Sequence, residues 1–260
     1  MRLENQTALV TGASRGIGRA IALRFAQEGA HLVIAARNRR DLERVVEEIR
    51  QLGREALGVC CDVSENAAVR ELVRQAEERF GAMDVLVSNA GSFPSMSPVH
   101  EMPDAEWDAT IQSNLTSAFY ACRAVLAGMM ARRRGSIVLI SSIAAKAAFP
   151  FAAPYSAAKA GLLGLTRAAA AEAGAYGIRV NALCPGVVTG TAMHDKVNRE
   201  VQKMTGTAPE DRVEGARRMA LLGELARPED VADAALFLAS SESSRMTGQV
   251  LNVDAGASFA

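Results

Sequence analysis

Residues 7–25 read TALVTGASRGIGRAIALRF. Thr7, Ala8, Leu9 and Val10 form the short apolar run of a buried strand, while Ile17, Ile21 and Phe25 repeat at the i, i+4, i+8 spacing of one helix face. Between them lies Thr11-Gly12-Ala13-Ser14-Arg15-Gly16-Ile17-Gly18, a glycine-rich turn where a strand gives way to a helix. Free backbone N–H groups and the helix dipole make that junction receptive to an anion. The spacing is G-x3-G-x-G rather than G-x-G-x-x-G, so the glycines alone fit a close-packed turn as well as a phosphate loop. Gly12, Ser14 and Gly16 also spell G-x-S-x-G, the strand–turn–helix position of a hydrolase nucleophile. The rest of the chain opposes that reading. No earlier strand supplies an oxyanion loop, His31 falls inside the second strand, and His100 and His194 sit in loops with no supporting motif.

Outward from this unit the pattern repeats. Gly29 stops the first helix, and His31 to Ala36 is a second strand. A helix capped by Asn38 follows, with Leu42, Val45, Val46 and Ile49 on one face and Gly53 as its stop. Leu57 to Cys60 is a third strand, and Ser64 is expected to cap a helix carrying Val69, Leu72, Val73, Ala76 and Phe80. Then come a strand Val85 to Ser88, helix from Asp104 to about Arg132, a strand Ile137 to Ile140, a helix Tyr155 to Tyr176, and strands at Arg179 to Leu183 and Gln249 to Val253. Strands alternating with helices pair in parallel through right-handed crossovers. The expected fold is a doubly wound α/β parallel sheet with helices on both faces, one domain over 1–260. In 187–222 the periodicity fades and polar residues dominate, which predicts two short helices forming a flap over the site.

Composition removes several function classes. Lys and Arg number 29 against 29 Asp and Glu, so no global basic field recruits nucleic acid or anionic lipid. Lys159, Arg167 and Glu172 interrupt the Ala/Leu-rich stretch after Pro154, too soon for the roughly 20 apolar residues of a spanning helix. Cys60, Cys61, Cys122 and Cys184 contain no C-x-x-C pair, and MRLENQ has no apolar leader, which together predict a cytoplasmic protein. No Cys/His spacing suggests a metal.

A dinucleotide is sorted at the end of the second strand, where an acidic residue accepts from a ribose 2′-hydroxyl and an arginine favours a 2′-phosphate. Arg37 follows Ala36 there, and Arg15 in the glycine loop is placed to converge with it. The pair predicts NADP(H) over NAD(H). Tyr155-x-x-x-Lys159 puts a phenol and an ammonium on one helix face, a pairing that also fits a half-buried tyrosine beside a surface lysine.

These elements together resemble the short-chain dehydrogenase/reductase family along nearly the whole chain. TGASRGIG is similar to its cofactor loop, and Asn89-Ala90-Gly91 to its turn after the fourth strand. Asn114 is similar to its helix asparagine, Ser142 stands the family's thirteen residues before Tyr155, and Tyr155-x-x-x-Lys159 is its signature. Asp62-Val63 resembles the pair beside adenine, and Pro185-Gly186 with Val188 and Thr189 the segment beside the nicotinamide carboxamide. The resemblance implies a Rossmann-fold oxidoreductase that interconverts a ketone and a secondary alcohol. Tyr155 is then the proton donor, its phenol shifted down by about three units toward neutrality. Lys159 holds ribose hydroxyls, Ser142 bonds the substrate oxygen, and Asn114 holds a water leading to solvent. Ser141 is an equal hydroxyl on chemistry alone; only the spacing selects Ser142.

Two substrate branches are similar to this sequence. Arg15 and the run Arg132-Arg133-Arg134 resemble 3-oxoacyl-thioester reductases, whose acidic carrier protein docks on arginines, although Tyr176 stands where a second docking arginine is usual. The polar flap resembles polyol and diol dehydrogenases. Phe93, Phe149, Phe151 and Met193 are expected to wall an apolar pocket, with Lys146 either solvated or meeting an acidic substrate. A third reading is a non-catalytic dinucleotide sensor, against which the intact Asn114, Ser142, Tyr155 and Lys159 argue. The Ala/Gly-rich Tyr155–Tyr176 helix exposes small residues on more than one face, and the family resemblance implies a homotetramer through it and the helix before it.

Overall fold

A computed structural model describes residues 1–258. The strands are β1 (Thr7–Thr11), β2 (His31–Ala36), β3 (Ala56–Cys60), β4 (Val85–Ser88), β5 (Gly135–Ile140), β6 (Ile178–Pro185) and β7 (Val250–Val253). They form one parallel sheet in the order β3-β2-β1-β4-β5-β6-β7. The order reverses between β1 and β4, and a crevice opens beyond the carboxyl ends of strands at such a point. The helices are α1 (Gly16–Gln27), α2 (Arg39–Gln51), α3 (Asn66–Phe80), α4 (Asp104–Ile111), α5 (Ser117–Arg132), α6 (Ala153–Ala173), α7 (Ala192–Thr205), α8 (Pro209–Met219) and α9 (Pro228–Ala239).

Successive side chains of a strand point to opposite faces, so each strand feeds two cores. Ala8, Val10, Leu32, Ile34, Val85 and Val87 pack under α1, α2 and α9, whereas Leu9, Val33, Ala35, Leu86, Ile137 and Leu139 pack under α3, α5 and α6. Near-continuous apolar runs are what a sheet covered on both faces requires. The expected doubly wound sheet is the one observed.

Local chemistry sets the boundaries. Asn38 caps α2 by accepting the Asp41 N–H at 3.0 Å, as expected. Ser64 does not cap α3, whose N-cap is Glu65. Its hydroxyl and N–H instead donate to Asp62 Oδ1 at 2.7 and 3.0 Å, closing an Asx turn that competes with the cap. The helix expected from Asp104 to Arg132 is interrupted by a π-helical turn, Gln112–Thr116, between α4 and α5. Helix α9 is absent from the sequence reading, although Pro228 in its first turn and the acidic Glu229 and Asp230 are start signals. It covers α1 and the sheet, and Arg179 caps its carboxyl end by donating to the carbonyls of Leu238, Ala239 and Ser240 at 2.7 to 3.1 Å. Among the described residues no helix is long and apolar enough to cross a membrane, and no group of three His, Cys, Asp or Glu side chains gathers to hold a metal.

Candidate active site

The carboxyl ends of β1, β4, β5 and β6 deliver four loops to the crevice. The first two are stapled together. Thr11 Oγ1 accepts the N–H groups of Asn89 and Ala90, each at 3.0 Å, and Asn89 Nδ2 donates to the carbonyls of Thr11 at 2.9 Å and Gly12 at 3.3 Å. The approach is close enough that a Cβ at Gly18 would lie 2.4 Å from the Gly12 carbonyl oxygen and 2.5 Å from Asn89 Nδ2. Only glycine fits there. Helix α1 opens from Arg15 with no side-chain cap and no acidic residue in its first turn, so its leading N–H groups stay free for an anion. Ser14 is buried in this turn, and no histidine serves it: His31 stacks on Phe80, His100 pairs with Glu101, and His194 bonds Asn198.

Tyr155 and Lys159 share the inward face of α6, 8% and 4% exposed. Pro154 presets the first turn, and Lys159 Nζ lies 5.5 Å from the centre of the tyrosine ring and donates to the Ile140 carbonyl at 2.9 Å. The two serines separate cleanly. Ser141 Oγ is committed to the Lys159 carbonyl at 2.8 Å, whereas the Ser142 hydroxyl accepts the Ala144 N–H at 3.2 Å and lies near enough to Tyr155 to influence its phenol. Asn114 stands in the π-helical turn, donating through Nδ2 to the carbonyls of Ser92 and Thr110 at 2.8 and 2.9 Å. Its Oδ1 is buried without a hydrogen-bond partner. A Cβ at Gly91 would meet that oxygen at 2.4 Å and Lys159 Nζ at 3.6 Å, so both polar groups crowd one bare α-carbon. An orphaned acceptor beside a buried ammonium is a place for water or a ligand hydroxyl.

In the chain without the nicotinamide charge, which the expected downward shift also draws on, burial sets the electrostatics. Burial raises the Tyr155 phenol to about 12, with the Ser142 hydroxyl pulling the other way, and lowers Lys159 to about 8. The phenol of the free chain is a protonated donor at neutral pH, not a group shifted toward phenolate. Desolvation favours the neutral form of both groups and is the largest cause of each shift.

Around them lies an apolar shell of Phe93, Met96, Ala144, Ala152 and Val197, flanked by Phe149, Phe151 and Met193. The Phe93 and Tyr155 rings meet edge to face at 5.1 Å, and the Tyr155 hydroxyl points to Met193 Sδ at 3.9 Å. Lys146 lies outside this shell and is half-buried; it donates to Asn252 Oδ1 at 2.8 Å, tying the Ser142 loop to β7.

At the far end, Arg37 faces Asp62 across 3.6 Å and is 76% exposed, while its carbonyl accepts from the Cys60 thiol. The structure therefore turns Arg37 to Asp62, where convergence with the exposed Arg15 was expected. Val63 packs at the edge of the core beneath α3. Along β6, Gly186 N–H donates to the Val253 carbonyl, Val188 bridges Ala226, and Thr189 N–H donates to the Ala226 carbonyl at 3.0 Å. Thr191, at the start of α7, lies against the position a Cβ of Gly16 would take, 3.5 Å away. The sequence reading did not single out Thr191 or Asn252; neither belongs to a spaced motif, and only the fold brings them to the crevice.

Residues 12–258 match the protein family described as Enoyl-(Acyl carrier protein) reductase. The chain is 38% identical over 256 residues to a 3-oxoacyl-[acyl-carrier-protein] reductase of Thermotoga maritima, spanning 98% of this chain and 99% of that protein. NAD+-bound xylitol dehydrogenase superposes with a TM-score of 0.94 at 30% identity, covering 98% of this chain and all (100%) of the other. A variant of the actinorhodin polyketide ketoreductase, solved with NADPH, superposes at 0.92 with 36% identity over 98% of each chain.

Lysine burial predicts a pH signature. With a folded value near 8 and an unfolded one near 10.5, the unfolded chain holds the extra proton between them, so stability rises with pH across that window. From pH 8 to 9.5 the chain should gain about 2 kcal/mol over Lys159→Met in urea unfolding. Parallel profiles would refute the assignment.

Proposed function

We propose that this chain, which belongs to the short-chain dehydrogenase/reductase family, reduces 3-oxoacyl thioesters or similarly apolar ketones to secondary alcohols with NADPH. It is an oxidoreductase acting between ketone and alcohol. The observation that carries the substrate class is the wall around Tyr155. Phe93, Phe149, Phe151 and Met193 give an acyl chain or ring apolar contacts and leave a polyol's hydroxyls without partners. Polyol or diol oxidation is the second reading, supported by the likeness to xylitol dehydrogenase, and a non-catalytic sensor is disfavoured by the complete set Asn114, Ser142, Tyr155 and Lys159.

The residues present fit a nicotinamide dinucleotide. Gly12, Ser14, Arg15, Gly16, Ile17 and Gly18 would receive its pyrophosphate on the uncapped N-terminus of α1. Asp62 and Val63 would flank adenine, Asn89, Ala90 and Gly91 would line the ribose side, and Pro185, Gly186, Val188 and Thr189 would meet the carboxamide. Arg37 and Arg15 would take a 2′-phosphate once Arg37 leaves Asp62, a weak exposed pair to break. When bound, the reduced cofactor supplies the hydride.

The chain's own residues supply the rest. Ser142 and Tyr155 both donate hydrogen bonds to the carbonyl oxygen, polarising it and fixing its position. As the carbonyl carbon gains hydride, the Tyr155 proton passes to that oxygen and the C–O double bond becomes a carbinol. Lys159, largely protonated below pH 8, stabilises the resulting phenolate. A water held at Asn114 Oδ1 would return a proton from solvent through Lys159. A phenol held high is a poor base but a well-loaded donor, which suits the direction of reduction.

We further place the chain in the cytoplasm as one domain, with α7 and α8 as its flap. We propose a homotetramer through α5 and α6; on α6 the exposed Ala157, Ala160, Gly164 and Ala168 form a seam of small residues for a partner helix. A carrier protein would meet Arg132 and Arg133, which bond only backbone carbonyls, rather than Arg134, which pairs with Asp84.

The test is NADPH consumption with a short 3-oxoacyl thioester and, in parallel, xylitol oxidation with NADP+ and NAD+. Thioester turnover should exceed polyol turnover at least tenfold, and Tyr155→Phe should lose at least a hundredfold. Arg37→Ser should erase the preference for NADPH over NADH. Equal turnover by Tyr155→Phe, or polyol oxidation alone, rejects the reading. Light scattering at micromolar concentration should give four times the chain mass; a monomer refutes the tetramer.

A further inference from the structure

Helix α7 presents Met193, Val197, Val201 and Met204 to the apolar shell around Tyr155, at helical spacing. Alongside that stripe stand Lys196 and Glu200, one turn apart. Neither is spent on solvent. The Lys196 ammonium donates to the Phe93 carbonyl, and Glu200 Oε2 accepts the Met96 N–H at 3.2 Å. Both partners are backbone groups of residues 93–97, a stretch with no helix or strand of its own. Two more of its N–H groups are held from outside, that of Ser95 by Glu106 Oε1 and that of Ser97 by the Phe151 carbonyl, each at 2.9 Å. Lys203 holds the second oxygen of Glu200 at 2.9 Å, keeping the carboxylate ionised and aimed.

The contact closes the site. Met193 Sδ stands 3.9 Å from the Tyr155 hydroxyl, in the direction a substrate oxygen must approach, and Phe93 covers the ring. Helix α7 is bounded by Gly190 at φ +70° and Gly206 at φ +74°, and a side chain at either would meet nothing within 4 Å. At the glycines themselves no side chain fills the turn, while the buried Thr191 anchors the first turn of the helix by accepting the His194 N–H at 3.1 Å.

We propose that Lys196 and Glu200 are specificity-determining positioning residues: they clasp α7 to the 93–97 backbone, hold Met193 and Phe93 over Tyr155, and so limit the size of ketone admitted. The inference rests on the reading of Tyr155 as the proton donor in ketone reduction. A small carbonyl compound displaces only the unbranched thioether of Met193. A bulky one must also move Phe93, which breaks both charge-assisted bonds.

The experiment compares the full chain with the double variant Lys196→Met/Glu200→Leu, which removes both the donor and the acceptor, in two readouts. Hydrogen exchange of the free protein should quicken at least tenfold across 93–97 in the variant and stay unchanged in α9. With NADPH, kcat/KM for a fused bicyclic ketone, relative to an acetoacetyl thioester, should rise at least fivefold, chiefly through KM of the bulky ketone. Lys196→Arg, which keeps a donor, should hold the wild-type ratio. Unchanged exchange, or a parallel loss of kcat on both ketones, overturns the clasp. A wild-type protein that binds NADPH but reduces neither ketone overturns the ketone reading and the size limit with it, even where exchange quickens.

Discussion

Burying the Lys159 ammonium costs several kcal/mol unless polar groups replace its water, and the chain replaces little of it. One carbonyl, that of Ile140, accepts from Nζ, and the nearby Asn114 Oδ1 has no donor at all. The dryness that makes this expensive also keeps the Tyr155 phenol protonated. On the proposed reading, that proton is held against an apolar surface until a substrate carbonyl reaches it. Such local cost persists only where the surroundings over-determine it, and here they do. Strands β5 and β6 deliver Ser142 and Pro185, α6 delivers both titrating groups, and the π-helical turn delivers Asn114.

The same logic governs the other half of the crevice. Parallel strands β1 and β4 pair in register from Ala8 with Val85 to Val10 with Val87, which brings their loops side by side. Thr11 and Asn89 then lock those loops together, and the space left admits only a bare α-carbon at Gly18. The first turn of α1, uncapped because Arg15 stands at its N-cap, opens beside that lock. The anion-receptive end and the proton-donating end are thus joined through the sheet, with Thr191 and α7 lying across the join.

Much of this was legible in the sequence, because period and punctuation carry strands, helices and their stops. The seven strands, the Asn38 cap and the apolar wall of Phe93, Phe149, Phe151 and Met193 follow from residue type and spacing. What stayed hidden depends on competition or on distance in the chain. Ser64 prefers Asp62 to the helix behind it, and Lys146 finds Asn252, more than a hundred residues away. Arg37 turns to Asp62, a pairing that no pattern around either residue announces. Helix α9 carries its start signals in Pro228, Glu229 and Asp230, which are weaker than the periodicity that marks the other helices. The direction of the Tyr155 shift could not be read at all, since a one-turn spacing to Lys159 says nothing about how dry the pair is.

The central claim is that Tyr155 gives its proton to a carbonyl oxygen while the carbonyl carbon receives hydride. It is tested most directly by incubating the chain with NADPH deuterated at C4, on the side that is transferred, and a short 3-oxoacyl thioester, then locating the label by mass spectrometry. The account predicts one deuterium on the carbinol carbon of the 3-hydroxyacyl product, and almost none formed by Tyr155→Phe in the same time. Unlabelled product, product labelled elsewhere than the carbinol carbon, or equal labelling by Tyr155→Phe would contradict it.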